Sequence, residues 1–363
     1  MNDRALIIVN SIYQLFTAVH LRRTLLAGLP VDAVLTDILP RRDFYADRLE
    51  ESGVFERVLR AQTAAFNAEY AAKQGAELDP AFREIPRRLN WMLNGTLSAY
   101  SEVYFSNYDP FTRMLAACYY GQPCGFICYE DGFSTYVIDY LRPDRAAINR
   151  HAEGRKIADK VHHVLLYEPR LAVRGDALEN RPIPKIDPED DELRRLLNRI
   201  FDYHRPLNRA DFIFLEQSFR AEKIRSNDLE LMALCRDALP PGRFAVKPHP
   251  RNPENLPLQL GLTRKYDAGV PWELFLLNEP PSGGAVITVC SNAALTPRIV
   301  FGMDLNTVML YRLFEGKVLW KEDDVLRRYL HQFYAQFAGK NYYVPQTVYE
   351  LRETLNYLGG RHE

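Results

Sequence analysis

The sequence carries no excess of charge: 46 Lys and Arg stand against 47 Asp and Glu, a net charge of −1 over 363 residues. That excludes a global field drawing the chain to nucleic acid or to an anionic membrane, so any anion it binds is held locally. Cysteine is sparse. The five thiols (Cys118, Cys124, Cys128, Cys235, Cys290) are odd in number and lack the dense, even spacing of a secreted disulfide framework, which points to a reducing compartment. No second Cys pair and no His-x3-His follows Cys124 and Cys128, so they read as free core thiols rather than a metal site. No apolar run approaches the roughly 20 residues of a spanning helix. Internal repeats and low-complexity segments are absent too. The apolar start Ala5 to Val19 is broken by Asn10, Ser11, Tyr13 and Gln14, and no small-residue cleavage site follows it; it reads as mature structure, not a signal peptide. A cytoplasmic protein is expected, with peripheral association at the inner face of the membrane left open.

What is present is an ordinary globular composition, 47% apolar and 26% charged, and at about 150 residues per domain the length amounts to about 2.4 domain equivalents. Ala5 to Val9 is a β-branched run suited to a strand buried on both faces, and Tyr13 to Leu26 has helical spacing at Leu15, Val19, Leu21 and Leu25. The alternation continues with strands at Val31 to Thr36, Phe55 to Leu59, Glu102 to Asn107 and Gly125 to Tyr129, and helices at Arg42 to Ser52 and Phe111 to Tyr119. Such alternation predicts a mostly parallel, doubly wound sheet. Arg-Pro-Ile-Pro-Lys-Ile-Asp-Pro from Arg181, with an acidic run after it, reads as a surface connection. The boundary is therefore placed near residue 188, giving domains 1–187 and 188–340. A helix to about Tyr203 leads into a second series: strands at Asp211 to Glu216, Arg243 to Lys247 and Gly284 to Val289, helices at Leu229 to Leu239, Trp272 to Leu277 and Asn292 to Phe301. Two α/β domains of this kind usually bind ligand at the carboxyl ends of their strands, in the cleft they face.

Four short motifs carry candidate chemistry. Tyr129-Glu130-Asp131-Gly132 ends an apolar strand; adjacent carboxylates there face opposite ways, which reads either as a general base at the cleft floor or as an acidic surface turn. Lys247-Pro248-His249-Pro250 clamps an imidazole between two prolines with Lys247 and Arg251 beside it, an arrangement suited to a phosphate oxygen gaining charge, or else a His satisfied by a nearby carbonyl. In Pro271-Trp272-Glu273 a carboxylate in a first helical turn fits a ribose diol, or is an unremarkable helix start. Cys290-Ser291-Asn292 passes from a strand into a helix, which reads as a phosphate site or as plain capping. Asp190-Asp191 and Asp323-Asp324 read as solvated helix ends. His162-His163, beside the strand-like run Val164 to Tyr167, reads as structural.

In this order and spacing, over about residues 5 to 300, the motifs resemble those of the bacterial sialyltransferases of GT-B architecture, most of all the lipooligosaccharide sialyltransferases and bacterial polysialyltransferases. The opening Ile7-Ile-Val-Asn-Ser-Ile-Tyr-Gln-Leu15 is similar to their first strand and turn, which places Asn10, Ser11 and Gln14 among the substrate-binding residues. The resemblance implies two Rossmann-like domains facing a cleft and an inverting, metal-independent transfer of sialic acid from CMP-sialic acid to a hydroxyl of a cell-surface glycan. It implies Glu130 or Asp131 as base, and His249 with Pro250 and Ser291 on the donor phosphate. Lys247 or Arg251 would support that phosphate, with Asn292 or a backbone N–H as a further contact, and Glu273 would hold the ribose. It implies no cofactor, and a C-terminal helix (341–363, with helical spacing from Tyr343 to Leu358) crossing back to the first domain. One departure stands out: the family often has two consecutive hydroxyl residues where this chain has Cys290-Ser291. Rival readings are a transferase for another CMP-nonulosonic acid or a CDP-linked donor, and an inactive nucleotide-binding scaffold of capsule assembly.

Overall fold

The computed structural model describes residues 4–70, 85–141, 156–204, 210–281, 283–316, 324–337 and 341–360. The chain divides into two compact units, Met1–Pro184 with Arg195–Phe201, and Lys185–Arg194 with Asp202–Glu363. Among the described residues no helix is long and apolar enough to cross a membrane.

The first unit is built on β1 (Ala5–Val9), β2 (Val31–Thr36), β3 (Arg57–Ala61), β4 (Glu102–Phe105), β5 (Gly125–Tyr129), β6 (Val161–Leu166) and β7 (Glu179–Pro182), in the order β3-β2-β1-β4-β5-β6-β7. Every pairing is parallel. β1, β2 and β5 are buried along their whole length; β1 and β5 accordingly read as unbroken apolar runs, while β2 carries Asp32 within it. Two of the intervening helices start on side-chain caps. Ser11 Oγ accepts from Gln14 N at 3.1 Å ahead of Ile12–Arg23, and Asp109 Oδ1 from Thr112 N at 2.8 Å ahead of Pro110–Cys118. At the amino end of the sheet the fully buried Asp32 is matched by Arg4, Arg57 and the Tyr100 hydroxyl. That network holds the end of the sheet away from the candidate site.

The second unit repeats the plan with β8 (Phe212–Leu215), β9 (Phe244–Lys247), β10 (Arg264–Lys265), β11 (Ala285–Thr288), β12 (Asn306–Met309) and β13 (Tyr342–Tyr343), in the order β10-β9-β8-β11-β12-β13, again all parallel. Both units thus show the Rossmann strand order, third-second-first-fourth, with the reversal between the first strand and the fourth. Phe212, Phe214, Val246, Ile287 and Val308 from the sheet pack with Met232 and Cys235 of the helix Asp228–Ala238 and with Leu351 and Leu355 of the helix Val348–Leu358. Each of these fully buried leucines contributes about 2 kcal/mol.

Several elements depart from the sequence reading. β3 starts at Arg57 rather than Phe55, and polar side chains interrupt its apolar pattern: Arg57 reaches Asp32 and Arg60 reaches Asp47 and Glu50. β7 runs into the start of the proline-rich stretch read as a connection; it is an edge strand with mostly exposed side chains, so no apolar pattern announced it. The expected helix Asn292 to Phe301 is a 3-10 turn, Asn292–Ala294, followed by a helix Thr296–Phe301. Leu351 and Leu355 of the C-terminal helix pack in the second core, and the segment grouped with the first unit is Arg195–Phe201, whose Phe201 ring packs on Phe16 and Tyr45. Asp190 caps its helix by accepting from Leu193 N at 2.9 Å, and Asp324 opens the helix Asp324–Phe337. Asp323 lies outside the described residues. His162 lies across Gly125, where a Cβ would come within 2.6 Å of its ring.

Candidate functional site

In the first unit the turns after β1, β4 and β5 meet where the strand order reverses. Asn10 and Gln14 donate to one acceptor, Asn107 Oδ1, at 2.8 and 2.7 Å. Gln14 Oε1 accepts from Asn10 N at 2.7 Å, and Thr36 Oγ1 donates to Asn10 Oδ1 at 2.7 Å. This buried amide network fixes the turn that carries Ser11, and Ser11 Oγ donates to Asp131 Oδ1 at 3.3 Å.

The two carboxylates after β5 sit in opposite environments, as alternation along an extended chain requires. Glu130 is only 1% exposed. Its Oε1 accepts from Tyr13 Oη at 2.8 Å, and its Oε2 from Tyr136 Oη at 2.5 Å and Tyr167 N at 2.8 Å. Asp131 is partly exposed. Burial raises its carboxyl above the ordinary carboxylate range, against the opposite pull of Gln14, Ser11 and Asn107. Its backbone is held from both sides: Asp131 N donates to Thr135 Oγ1 at 2.8 Å and Ser134 Oγ donates to Asp131 O at 3.3 Å. Gly132 makes this possible, with φ +63° and ψ −146°, a backbone open in practice to glycine alone.

In the second unit the candidate residues follow β8, β9 and β11. Glu216, immediately after β8, is buried and organises the His249 loop. It accepts from Arg220 Nη2 on both oxygens (2.9 and 3.0 Å), from Asn255 Nδ2 at 2.9 Å, and from His249 N and Asn252 Nδ2 at 3.3 Å. Within the loop Arg251 N donates to His249 Nδ1 at 3.3 Å. A neutral ring accepting there carries its proton on Nε2, so this hydrogen-bond geometry leaves Nε2–H as a donor. Burial lowers the His249 pKa, Arg251 and Lys247 push the same way, and Glu216 and Glu222 oppose them. Pro250 is exposed at the tip of the turn.

Lys247 and Glu273 are both buried and each feels the other's charge. Burial brings the Lys247 ammonium down to about 8 and the Glu273 carboxyl up to about 7. Lys247 Nζ donates to Asp267 O at 2.7 Å. Glu273 stands in the first turn of the helix Trp272–Asn278, and Trp272 Nε1 donates to Ala293 O at 2.8 Å, tying that helix to the turn after β11. In that turn the amides of Cys290 and Ser291 are engaged by Gln217 Oε1 at 2.7 Å and Thr288 Oγ1 at 3.2 Å. Ser291 Oγ accepts from Ala293 N at 3.3 Å, the capping role, and keeps its own O–H to donate. Asn292 Oδ1 accepts from Tyr329 Oη at 2.9 Å. Burial pushes the Cys290 thiol up, so it is neutral.

Asn10, Ser11, Gln14 and Asp131 are therefore brought together, and so are Lys247 and Glu273. Among the described residues no hydrogen bond joins His249 to Ser291 or Glu273. Sequence reading missed Asn107, Tyr136, Gln217, Thr288 and, most consequentially, Glu216. A signal for Glu216 existed: Phe212-Ile-Phe-Leu-Glu216 ends an apolar strand in a carboxylate, the same pattern as Phe126-Ile-Cys-Tyr-Glu130.

No family model matches the sequence, and no curated protein matches it. Solved structures do match. The α/β-galactoside α-2,3-sialyltransferase of the luminous marine bacterium Photobacterium phosphoreum is 11% identical, with 97% of this chain and 100% of that chain covered at a TM-score of 0.53. The fold is GT-B. A sialyltransferase from Photobacterium damsela is 11% identical over 94% of this chain and 81% of its own, at a TM-score of 0.51. LpCGTa, solved in complex with UDP, is 12% identical over 99% of this chain and 91% of its own, at a TM-score of 0.53. At these identities the likeness is one of architecture, and a GT-B fold hosts more than one donor chemistry.

Proposed function

We propose that the chain is an inverting glycosyltransferase that moves sialic acid from CMP-sialic acid to a hydroxyl of a cell-surface glycan, lipooligosaccharide or capsular polysaccharide, without a metal. The observation that carries this reading is the division of labour at Glu130-Asp131: Glu130 is withdrawn into three hydrogen bonds, while Asp131, partly exposed and with its pKa raised by burial, stands at the strand-order reversal. A carboxylate whose pKa is raised by burial is a stronger base than an ordinary one. Of the two candidates left open by the sequence, Asp131 is the base. The GT-B fold and the sialyltransferases among its structural neighbours support the donor class.

The step would run as one displacement. The acceptor hydroxyl gives its proton to Asp131 and its oxygen bonds to the anomeric carbon from one face. The bond to the phosphate oxygen breaks on the other face, its electron pair leaving with CMP, and the anomeric configuration inverts. The departing phosphate gains charge, and His249 Nε2–H and the Ser291 hydroxyl would donate to it, with Lys247 adding positive charge nearby. Asn10, Ser11 and Gln14 would shape the acceptor side around Asp131, and Glu273 would accept from the ribose diol.

The UDP-bound LpCGTa among the neighbours makes the nucleotide the point to test. The purified protein is incubated with CMP-sialic acid, other CMP-nonulosonic acids, a CDP-linked polyol and UDP-sugars, with and without lactose or oligosialic acid. CMP release from CMP-sialic acid that accelerates with acceptor and falls at least a hundredfold in His249→Ala is expected. Consumption of UDP-sugars alone, or of no donor, refutes the reading.

A further inference from the structure

Two backbone N–H groups of the turn after β11 are already spent. Cys290 N donates to Gln217 Oε1 at 2.7 Å, and Ser291 N donates to Thr288 Oγ1 at 3.2 Å, a buried hydroxyl that itself donates to Leu215 O at 2.9 Å. Neither amide is left for an anion. The thiol of Cys290 is a weak donor in a place where a hydroxyl would be a good one.

Gln217 lies across this gap. It follows Glu216 after β8, the strand beside β11 in the sheet. Its side chain reaches Cys290, and its backbone oxygen accepts from Asn252 Nδ2 at 2.7 Å in the loop that carries His249. Asn252 N in turn donates to His249 O at 3.0 Å. One residue thus links the His249 loop to the Ser291 turn, between the ends of β8 and β11, where the strand order reverses and an open α/β sheet takes its ligand. The orientation of its amide follows from the bond it makes. A backbone N–H requires an acceptor, so the oxygen faces Cys290, and Nε2 with its two N–H groups faces away. Gln217 is partly exposed, and among the described residues its Nε2 neither donates to an acceptor nor is enclosed. The side chain therefore absorbs one backbone donor and presents two amide donors farther out.

We propose that Gln217 is a further donor-binding residue, whose Nε2 donates to the phosphate of the nucleotide sugar in place of the hydroxyl that Cys290 lacks. The proposal rests on the transferase reading above and deepens it. His249 Nε2–H and the Ser291 hydroxyl serve the same phosphate from the two turns that Gln217 links, and a hydrogen bond to so charged an acceptor is worth about twice a neutral one.

The test titrates the full chain calorimetrically with CMP and UDP, and with cytidine and uridine as the same molecules without phosphate. Gln217→Glu still accepts from Cys290 N, so it should melt as the wild type does, but it turns a carboxylate toward the phosphate. Its affinity for the nucleotide that the wild type binds should fall by about 10- to 100-fold, with nucleoside binding unchanged. Gln217→Ala gives up the bond but frees Cys290 N for the phosphate, so its loss should be smaller and again confined to the nucleotide. A purely structural Gln217 gives the reverse order: the alanine variant worse than the glutamate variant, with nucleotide and nucleoside weakened alike. That order, equal nucleotide affinity in wild type and Gln217→Glu, or no binding of either nucleotide to the wild type overturns the proposal. If Gln217→Glu does not fold, the alanine variant decides alone, by whether its loss is confined to the nucleotide. Loss of nucleotide binding on this pattern in a protein that leaves CMP-sialic acid intact refutes the proposed transfer alone; turnover of CMP-sialic acid with a donor KM and kcat that Gln217→Glu leaves unchanged refutes the role of Gln217 alone.

Discussion

Exchanging each of the two adjacent carboxylates for its amide separates the structural group from the reacting one. In Glu130→Gln the amide oxygen can keep the place of Oε2, accepting from Tyr136 Oη and Tyr167 N, while the amide nitrogen faces Tyr13 Oη, which must turn to accept. Charge-assisted bonds become neutral ones of about half the strength, so the variant should lose about 1–3 kcal/mol of stability. Glu130→Ala strands all three donors in a buried place and should lose about 3–6 kcal/mol, enough to unfold a marginal protein. Asp131→Asn gives up one bond of 3.3 Å and a desolvated charge, so its stability should stay within about 1 kcal/mol of wild type. Its turnover should nevertheless fall by about 10²- to 10⁴-fold, the usual worth of a general base. Denaturant unfolding gives the stabilities and CMP release gives the rates. A folded Glu130→Gln with turnover abolished, beside an Asp131→Asn that retains it, would refute the assignment and the reasoning from burial behind it.

Two further outcomes follow from the second unit. Glu273, raised from the ordinary 4.5 to about 7 by burial, holds a proton in the folded state that the unfolded chain releases between those values. Stability should therefore fall as pH rises from about 4.5 to about 7, by at most about 3 kcal/mol, and flatten above; melting curves of Glu273→Gln should lack that decline, and an unchanged pH profile would sink the argument. Glu216→Ala removes the acceptor shared by Arg220, Asn252, Asn255 and the His249 amide. It should cost about 3 kcal/mol or more and raise donor KM by loosening the His249 loop; an unchanged KM in the folded variant would detach the loop from Glu216.

What could be read from the sequence was whatever is local. Strands sandwiched on both faces, such as Ala5–Val9 and Gly125–Tyr129, announce themselves as apolar runs, and these, with Val31–Thr36 around its buried Asp32, have the bounds read from the sequence. Edge strands do not: Glu179–Pro182 has no apolar side and Tyr342–Tyr343 is two residues long, and each exists only because a neighbouring strand supplies hydrogen bonds. The same holds for the sites. Glu130-Asp131 and Lys247-Pro-His249 are contiguous and were legible, but which carboxylate is withdrawn depends on Tyr13, Tyr136 and Tyr167, three residues from separate elements that only the sheet order brings together. Helical spacing in the C-terminal segment says that Leu351 and Leu355 share a face; that this face packs in the second core is legible only in the structure.

The measurement closest to the central claim is a proton NMR time course of the purified protein with CMP-sialic acid and lactose. The account predicts CMP and a sialylated product in equal amounts, the product carrying the anomeric configuration opposite to that of the donor, and none of this product with Asp131→Asn on the same timescale. A product of retained configuration, or a donor left intact by a protein that folds normally, would contradict it.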